Sequence, residues 1–176
     1  MSGELPADAR AVVLTASNRA SAGVYEDRSG RALAAGLREL GFDVEGPHVR
    51  PDDVAELEAV LRNAVDLGID VVLTTGGTGL SPTDVTPEAT RRVLEREAPG
   101  LAEAVRRFGA ENGVPTSVLS RGVAGTAGRT LIVNLPGSTG GVKDGLAVLG
   151  PLRITARCAR GACRRCSRRR AGNRPG

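Results

Sequence analysis

The 176-residue sequence predicts an α/β protein, a three-layer α/β/α sandwich on a mostly parallel central sheet. Three observations carry that expectation. Short β-branched runs alternate with segments whose apolar residues recur at helical spacing. The first run, Arg10 to Ser17, ends in small polar residues, as a buried parallel strand does. Phe42, Phe108 and Tyr25 are the only aromatic residues, so the layers must meet through aliphatic side chains.

The elements follow in order. Arg10 to Ser17 (RAVVLTAS) reads as the first strand, and a loop from Asn18 to Arg28 follows it. Ser29 then caps a helix in which Leu33, Leu37 and Leu40 share one side and Gly41 gives the left-handed stop. Phe42 to Val49 is a second strand. Asp53 and Glu56 have capping-box spacing before a helix whose apolar face is Leu57, Val60, Leu61, Ala64 and Val65, closed by Gly68. Ile69 to Thr75 (IDVVLTT) is the clearest strand. This β-α-β-α-β order implies right-handed crossovers and helices on both faces. Thr86 as cap and Pro87 at the first helical position open a helix to about Glu97, and Pro99-Gly100 divides it from another that ends near Gly113. Thr116 to Leu119 and Thr130 to Leu135 read as strands. A last helix begins around Gly141, with Val142, Leu146 and Leu149 on one side.

Residues 1–152 read as one domain and residues 153–176 as a disordered tail without apolar periodicity. The tail holds nine Arg, no acidic residue and all three Cys, so the net charge of +4 covers a domain with fifteen basic and twenty acidic side chains. An arginine tail can neutralise nucleic-acid phosphates, but aromatic stacking platforms are missing and nucleic acid is not the expected partner. Cys163 and Cys166 have zinc-like spacing, yet even with Cys158 they leave a four-ligand site incomplete. His48 is the only histidine, and no GxSxG elbow supports a triad around it. No segment is long and apolar enough for a membrane helix and the first residues lack a signal-peptide layout, so a cytoplasmic protein is expected.

The densest chemical signal is Thr74 to Thr86, TTGGTGLSPTDVT, directly after the clearest strand. Gly76, Gly77 and Gly79 remove side chains where the chain turns, so backbone amides can approach phosphate oxygens, with Thr75 and Thr78 as added hydroxyl donors and Ser81 and Thr86 downstream. The segment lacks the GKS or GKT ending of a Walker loop and the GxGxxG dinucleotide pattern. A glycine turn after a strand can also be plain punctuation. Asp84, however, sits beside this loop, and a carboxylate next to phosphates calls for a divalent cation, naturally Mg²⁺. Asp52, the freer of the Asp52-Asp53 pair, leaves the second strand toward the same edge. Asn134-Leu135-Pro136-Gly137-Ser138 is another turn after a strand, suited to a sugar or base and equally to an ordinary turn.

Taken together, these clusters resemble the molybdenum cofactor biosynthesis family of Mog and MoaB proteins over about Arg10 to Leu149. The anchors are SNRASAGVYEDRSG from Ser17, TTGGTGLSPTDVTPEAT from Thr74, PGLAEAVR from Pro99, VPTSVLSRGVAG from Val114 and NLPGS from Asn134. The resemblance implies a molybdopterin-binding domain fold, commonly a homotrimer. In its adenylyltransferase branch it implies transfer of AMP from Mg·ATP to the terminal phosphate of molybdopterin, for delivery toward a molybdenum-insertion partner protein. A non-catalytic pterin-binding or scaffolding role is the alternative. By position, the resemblance makes Asp52 and Asp84 the catalytic and metal-organising carboxylates. It makes Ser17, Asp27, Ser29, Gly30, Thr75, Gly76, Gly77, Thr78, Gly79, Ser81, Thr86, Ser120 and Arg121 substrate-binding, and Asn134, Leu135, Pro136, Gly137 and Ser138 nucleotide-binding. There are departures: Asn18 stands for the usual Asp, Thr83 for a common basic residue, and Gly140-Gly141 for a frequent Pro-Lys, with Lys143 near enough to substitute as a charge.

Overall fold

A computed structural model describes residues 8–152, so the expected tail and its cysteines lie outside the described residues. The strands are β1 (Arg10–Ala16), β2 (Asp43–Arg50), β3 (Val71–Thr75), β4 (Arg96–Glu97), β5 (Ala124–Ala127) and β6 (Thr130–Leu135). The helices are α1 (Asn18–Ser21), α2 (Arg28–Glu39), α3 (Val54–Asp66), α4 (Thr86–Arg91), α5 (Pro99–Glu111) and α6 (Thr139–Leu149). One six-stranded sheet has the order β2-β1-β3-β6-β5-β4. Pairs β1–β2, β1–β3 and β3–β6 are parallel, while β5 runs antiparallel to both β6 and β4. The expected three-layer α/β architecture with a mostly parallel sheet is what the chain forms.

Strand alternation divides the core in two. Ala11, Val13, Val71, Leu73, Leu131, Val133 and Leu135 pack on one face against Leu33 and Leu37 of α2, Ala102 and Val105 of α5 and Val142 of α6. Val12, Leu14, Val72 and Ile132 pack on the other against Leu57, Leu61 and Ala64 of α3 and Ala89 of α4. Leu33, Leu37, Leu57 and Leu61 are all but fully buried, each worth about 1.5–3 kcal/mol relative to exposure.

Several local expectations are corrected. Asp27, not Ser29, caps α2: its carboxylate accepts from the Gly30 amide at 2.8 Å, and the Ser29 hydroxyl donates to the same oxygen. A carboxylate at that place also favours the positive end of the helix. Asp53 caps α3 as expected, but the box is half made, because the Asp53 amide donates to Pro51 and Glu56 faces Arg50 instead. Val85 is the residue before α4; the Thr86 hydroxyl donates to the Gly76 carbonyl rather than capping, and the helix stops at Arg91 because Arg96–Glu97 pairs with β5. Thr116 to Leu119 is no strand. Pro115–Leu119 is a 3₁₀ helix, opened by a proline that lacks the amide a ladder needs. The strand in this region is β5, in a hairpin that turns through Gly128 at φ +54°. The helix expected from about Gly141 begins at Thr139, capped by Ser138.

Candidate active site

The three adjacent parallel strands β1, β3 and β6 end level with one another, Thr15 beside Thr75 and Thr75 beside Leu135. Loops leaving such carboxyl ends are where open α/β sheets gather ligands. On the far side, β2 carries one extra residue as it passes Val12 to Leu14, which brings Arg50 opposite Ala16. The ladder then continues past the strands. Ser17 N donates to Arg50 O at 2.9 Å, and Asn18 and Asp52 exchange bonds, Asn18 N to Asp52 Oδ2 at 2.9 Å and Asp52 N to Asn18 Oδ1 at 3.0 Å. Asp52 is therefore held by backbone geometry, and Asn18 supplies an acceptor oxygen without adding a third negative charge.

Two cavities flank the glycine loop. The first, about 400 Å³, is lined by the Gly76–Gly79 backbone, Asp84, Arg106 of α5, Ser117, Ser120 and the turn at Pro136, Gly137 and Ser138. The second, about 470 Å³, is lined by Ser17, Tyr25, Asp27, Arg28, Ser29, Asp52 and Thr139. Both are bordered by Gly76, Gly77, Asp84 and Gly137, so they meet at the loop. The amides of Gly77, Thr78 and Gly79 engage no protein acceptor among the described residues.

Neighbouring atoms explain why this wall is glycine. A Cβ on Gly76 would lie 2.3 Å from the Ala16 carbonyl oxygen, and Gly76 has φ +91°. A Cβ on Gly77, φ +61°, would lie 2.4 Å from Thr86 Oγ1 and 3.0 Å from Asp52 Oδ1. On Gly79 it would meet Asp84 Oδ2 at 2.8 Å. The two carboxylates thus straddle the loop. Burial, and secondarily the Asp84 charge, push the Asp52 carboxyl above its ordinary pKa against the opposing pull of the Asn18 amide. Asp84 is fixed by its own turn: its Oδ2 accepts from Ser81 N, and its amide donates to Ser81 O, both at 2.9 Å. Among the described residues no cluster of three or more His, Cys, Asp or Glu side chains could hold a metal ion. A cation here would find two carboxylates and need ligand oxygens for the rest.

Comparison with known proteins now gives the family. Residues 12–154 match the model of a probable molybdopterin-binding domain. The chain belongs to that family. It is 39% identical over 145 residues to a protein named molybdopterin adenylyltransferase from Helicobacter pylori, covering 79% of this chain and 80% of that one. A solved structure of the molybdopterin biosynthesis Mog protein from Mycobacterium ulcerans superposes with a TM-score of 0.79 at 47% identity, covering 88% of this chain and 99% of the other. The molybdopterin biosynthesis enzyme MoaB from Thermus thermophilus gives 0.81 at 43% identity, with 86% and 96% covered.

Within this molybdopterin-binding domain, the residues expected at the site divide by what their polar atoms already do. Ser17, Asp27, Ser29 and Asp52 border the second cavity; Thr78, Gly79, Ser120, Pro136 and Ser138 border the first; Gly76, Gly77, Asp84 and Gly137 border both. Ser81 contributes its amide to Asp84 and its hydroxyl to Thr83. In the other expected residues the polar atoms are already engaged within the protein or the residue is buried in the core. Thr75 borders the second cavity but is buried with its hydroxyl on the Pro136 carbonyl, and Thr86 is tied to Gly76. Gly30 is buried and leaves room for Asp27, whose Oδ2 accepts from Thr15 at 2.7 Å. Leu135 lies in the core. Asn134 borders the first cavity, but its side chain is occupied by Val123, Thr74 and Thr90. Arg121 is half-buried, spends its guanidinium on protein acceptors and lines neither cavity, and Lys143 is exposed and lines neither.

Sequence reasoning noted Asn18 only as a departure from the family and passed over Tyr25 and Arg106. Tyr25 pairs its hydroxyl with Ser17 Oγ at 3.0 Å and lies under the Arg19 guanidinium. Arg106 donates to the carbonyls of Ser120 and Gly122, fixing the segment that walls the first cavity. Its signal was present in the PGLAEAVR segment, as a cation on an otherwise apolar helix face.

Proposed function

We propose that this chain acts in molybdenum cofactor biosynthesis as a molybdopterin adenylyltransferase, moving AMP from ATP to the terminal phosphate of molybdopterin with release of pyrophosphate. The observation that carries the reading is the pair of cavities meeting at one glycine wall, with Asp84 bordering both and Asp52 in the second cavity beside Gly77. A protein that only binds pterin needs one compartment. Transfer needs two ligands side by side with their phosphates converging. The names of the relatives point the same way.

In this reading the pterin occupies the cavity of Ser17, Asp27 and Ser29, and the nucleotide that of Pro136 to Ser138. A terminal phosphate oxygen of the pterin attacks the α-phosphorus of ATP. The new P–O bond forms as the bond from the α-phosphorus to the bridging oxygen breaks, and that oxygen leaves with its electron pair on pyrophosphate. No side-chain nucleophile is required. The free amides of Gly77 to Gly79 receive charge that builds on phosphate oxygens, and the rigid loop sets the approach, so positioning and electrostatics supply the rate. Asp52 and Asp84 suit Mg²⁺, which takes few carboxylates and completes its shell with substrate phosphates and water. Bound there, the ion would neutralise phosphate charge. Without it, two like charges face an anionic ligand.

The reading includes a cytoplasmic homotrimer that passes its product to a molybdenum-insertion partner. No helix among the described residues is long and apolar enough to cross a membrane, and exposed Leu80, Val118 and Leu119 offer apolar contact area. The test is pyrophosphate release on mixing the purified protein with molybdopterin and Mg·ATP. Asp84→Ala should keep the wild-type circular dichroism and slow single-turnover AMP transfer by at least about 100-fold, as for loss of a group acting on transition-state charge. An unchanged single-turnover rate rejects the role.

A further inference from the structure

Arg121 is the best-connected side chain near the site and touches neither cavity. Its Nε donates to the Gly79 carbonyl at 2.7 Å, its Nη2 to the Asp84 carbonyl and its Nη1 to Glu88 Oε1, with Nη2 also 3.4 Å from Glu88 Oε2. Its own amide donates to the Thr78 carbonyl at 2.8 Å. All three guanidinium nitrogens are engaged. The two carbonyls it joins stand at the two ends of the segment Gly79 to Asp84, which belongs to no helix or strand and carries Leu80 out into solvent. Inside the segment only the Ser81–Asp84 turn and the Ser81–Thr83 contacts hold it together.

We propose that Arg121 is a positioning residue: it ties both ends of the Gly79–Asp84 loop to Glu88 on α4 and so fixes the Asp84 carboxylate at the junction of the cavities, without touching phosphate itself. A guanidinium suits the task because its donors lie in one rigid plane and reach several acceptors at once, which the single ammonium of lysine does not. Glu88 balances its charge, so the tie offers a bound phosphate little net attraction. The Arg121 hydrogen bond holds the Glu88 carboxyl below its usual pKa, and the same pair raises the guanidinium, so both stay ionised at neutral pH.

The inference rests on the proposed role of Asp84, and its test separates the two. Arg121→Gln, Arg121→Lys and the milder Glu88→Gln are compared with wild type by hydrogen exchange without ligands and by pyrophosphate release as Mg²⁺ is varied. In Arg121→Gln the Ser81 and Asp84 amides should exchange at least about 10-fold faster while sheet amides are unchanged, since loop openings are local events. The Mg²⁺ concentration for half-maximal rate should rise roughly 10–100-fold, the range seen when a group supporting a metal-binding side chain is removed. KM for molybdopterin should move by less than about 3-fold. Arg121→Lys should fall between, and Glu88→Gln should shift the same amides by less. Unchanged exchange in the loop overturns the proposal, as does a raised KM for either substrate at unchanged Mg²⁺ demand, which would make Arg121 a phosphate contact. If wild type releases no pyrophosphate, the assigned reaction fails while the exchange comparison still decides whether the tie exists. Should Arg121→Gln not fold, Glu88→Gln gives the same reading on the same amides.

Discussion

Asn134→Ala is the sharpest test of how the site is built. Asn134 is 2% exposed. Its Nδ2 donates to Thr74 Oγ1 at 3.0 Å and to Thr90 Oγ1 at 2.9 Å, and its Oδ1 accepts from Val123 N at 3.1 Å. From there the bonds run onward: Thr90 Oγ1 donates to Thr86 O, and Thr86 Oγ1 to the Gly76 carbonyl. One amide thus joins β6, β3, α4 and the chain entering β5, and through two threonines it steadies the glycine wall. Alanine removes three hydrogen bonds at about 1 kcal/mol each and leaves the buried Val123 amide without an acceptor, so the loss should be about 3 kcal/mol, more if no water enters. For a domain of this size that lowers the melting temperature by roughly 6–12 °C. Thermal unfolding of ligand-free protein measures it. A drop below about 3 °C accompanied by weaker ATP binding would refute this account and make Asn134 a nucleotide contact.

Other outcomes follow from the same geometry. Because the folded pKa of Asp52 is raised above 3.8, the stability its proton contributes is complete below the unfolded value and is lost as pH rises through the folded one. At pH 7 the ionised carboxylate therefore opposes folding. Asp52→Asn keeps an oxygen for the Asn18 amide and drops the charge, so it should melt at or above wild type at pH 7, lose that advantage toward pH 4, and release no pyrophosphate. Melting below wild type at pH 7 would contradict this. Gly77→Ala should cost about 2–3 kcal/mol, from the left-handed backbone and the lost Thr86 contact. Gly23→Ala, also at positive φ but with nothing within 4 Å of its added Cβ, should cost only about 1–2 kcal/mol. Equal losses in urea unfolding would mean that the contact with Thr86 is unimportant.

Much of this protein is written locally. The runs at Arg10, Phe42, Ile69 and Thr130 became strands within two residues of their expected ends, since β-branched stretches bounded by turn residues report their own conformation. The chemistry of the loops was equally legible: glycines beside hydroxyls and two aspartates, each following a strand, had to emerge on one edge once the strands were parallel. The two-residue β4, the small-residue β5 and the 3₁₀ helix at Pro115–Leu119 were not legible, because pairing partners rather than composition make them what they are.

What only the tertiary structure decided is which polar groups are already bonded within the protein. Thr75, Thr86, Asn134 and Arg121 look in sequence like any other polar residues of a phosphate site. Their partners lie ten to sixty-one positions away. A buried hydroxyl or amide must find an acceptor or donor wherever the fold brings one, and that address is set by strand order and register. The sequence by itself determined the layers and the edge where the polar loops gather; packing determined that Asp52 and Asp84 flank the glycine loop and that the polar atoms of several neighbours are already bonded within the protein.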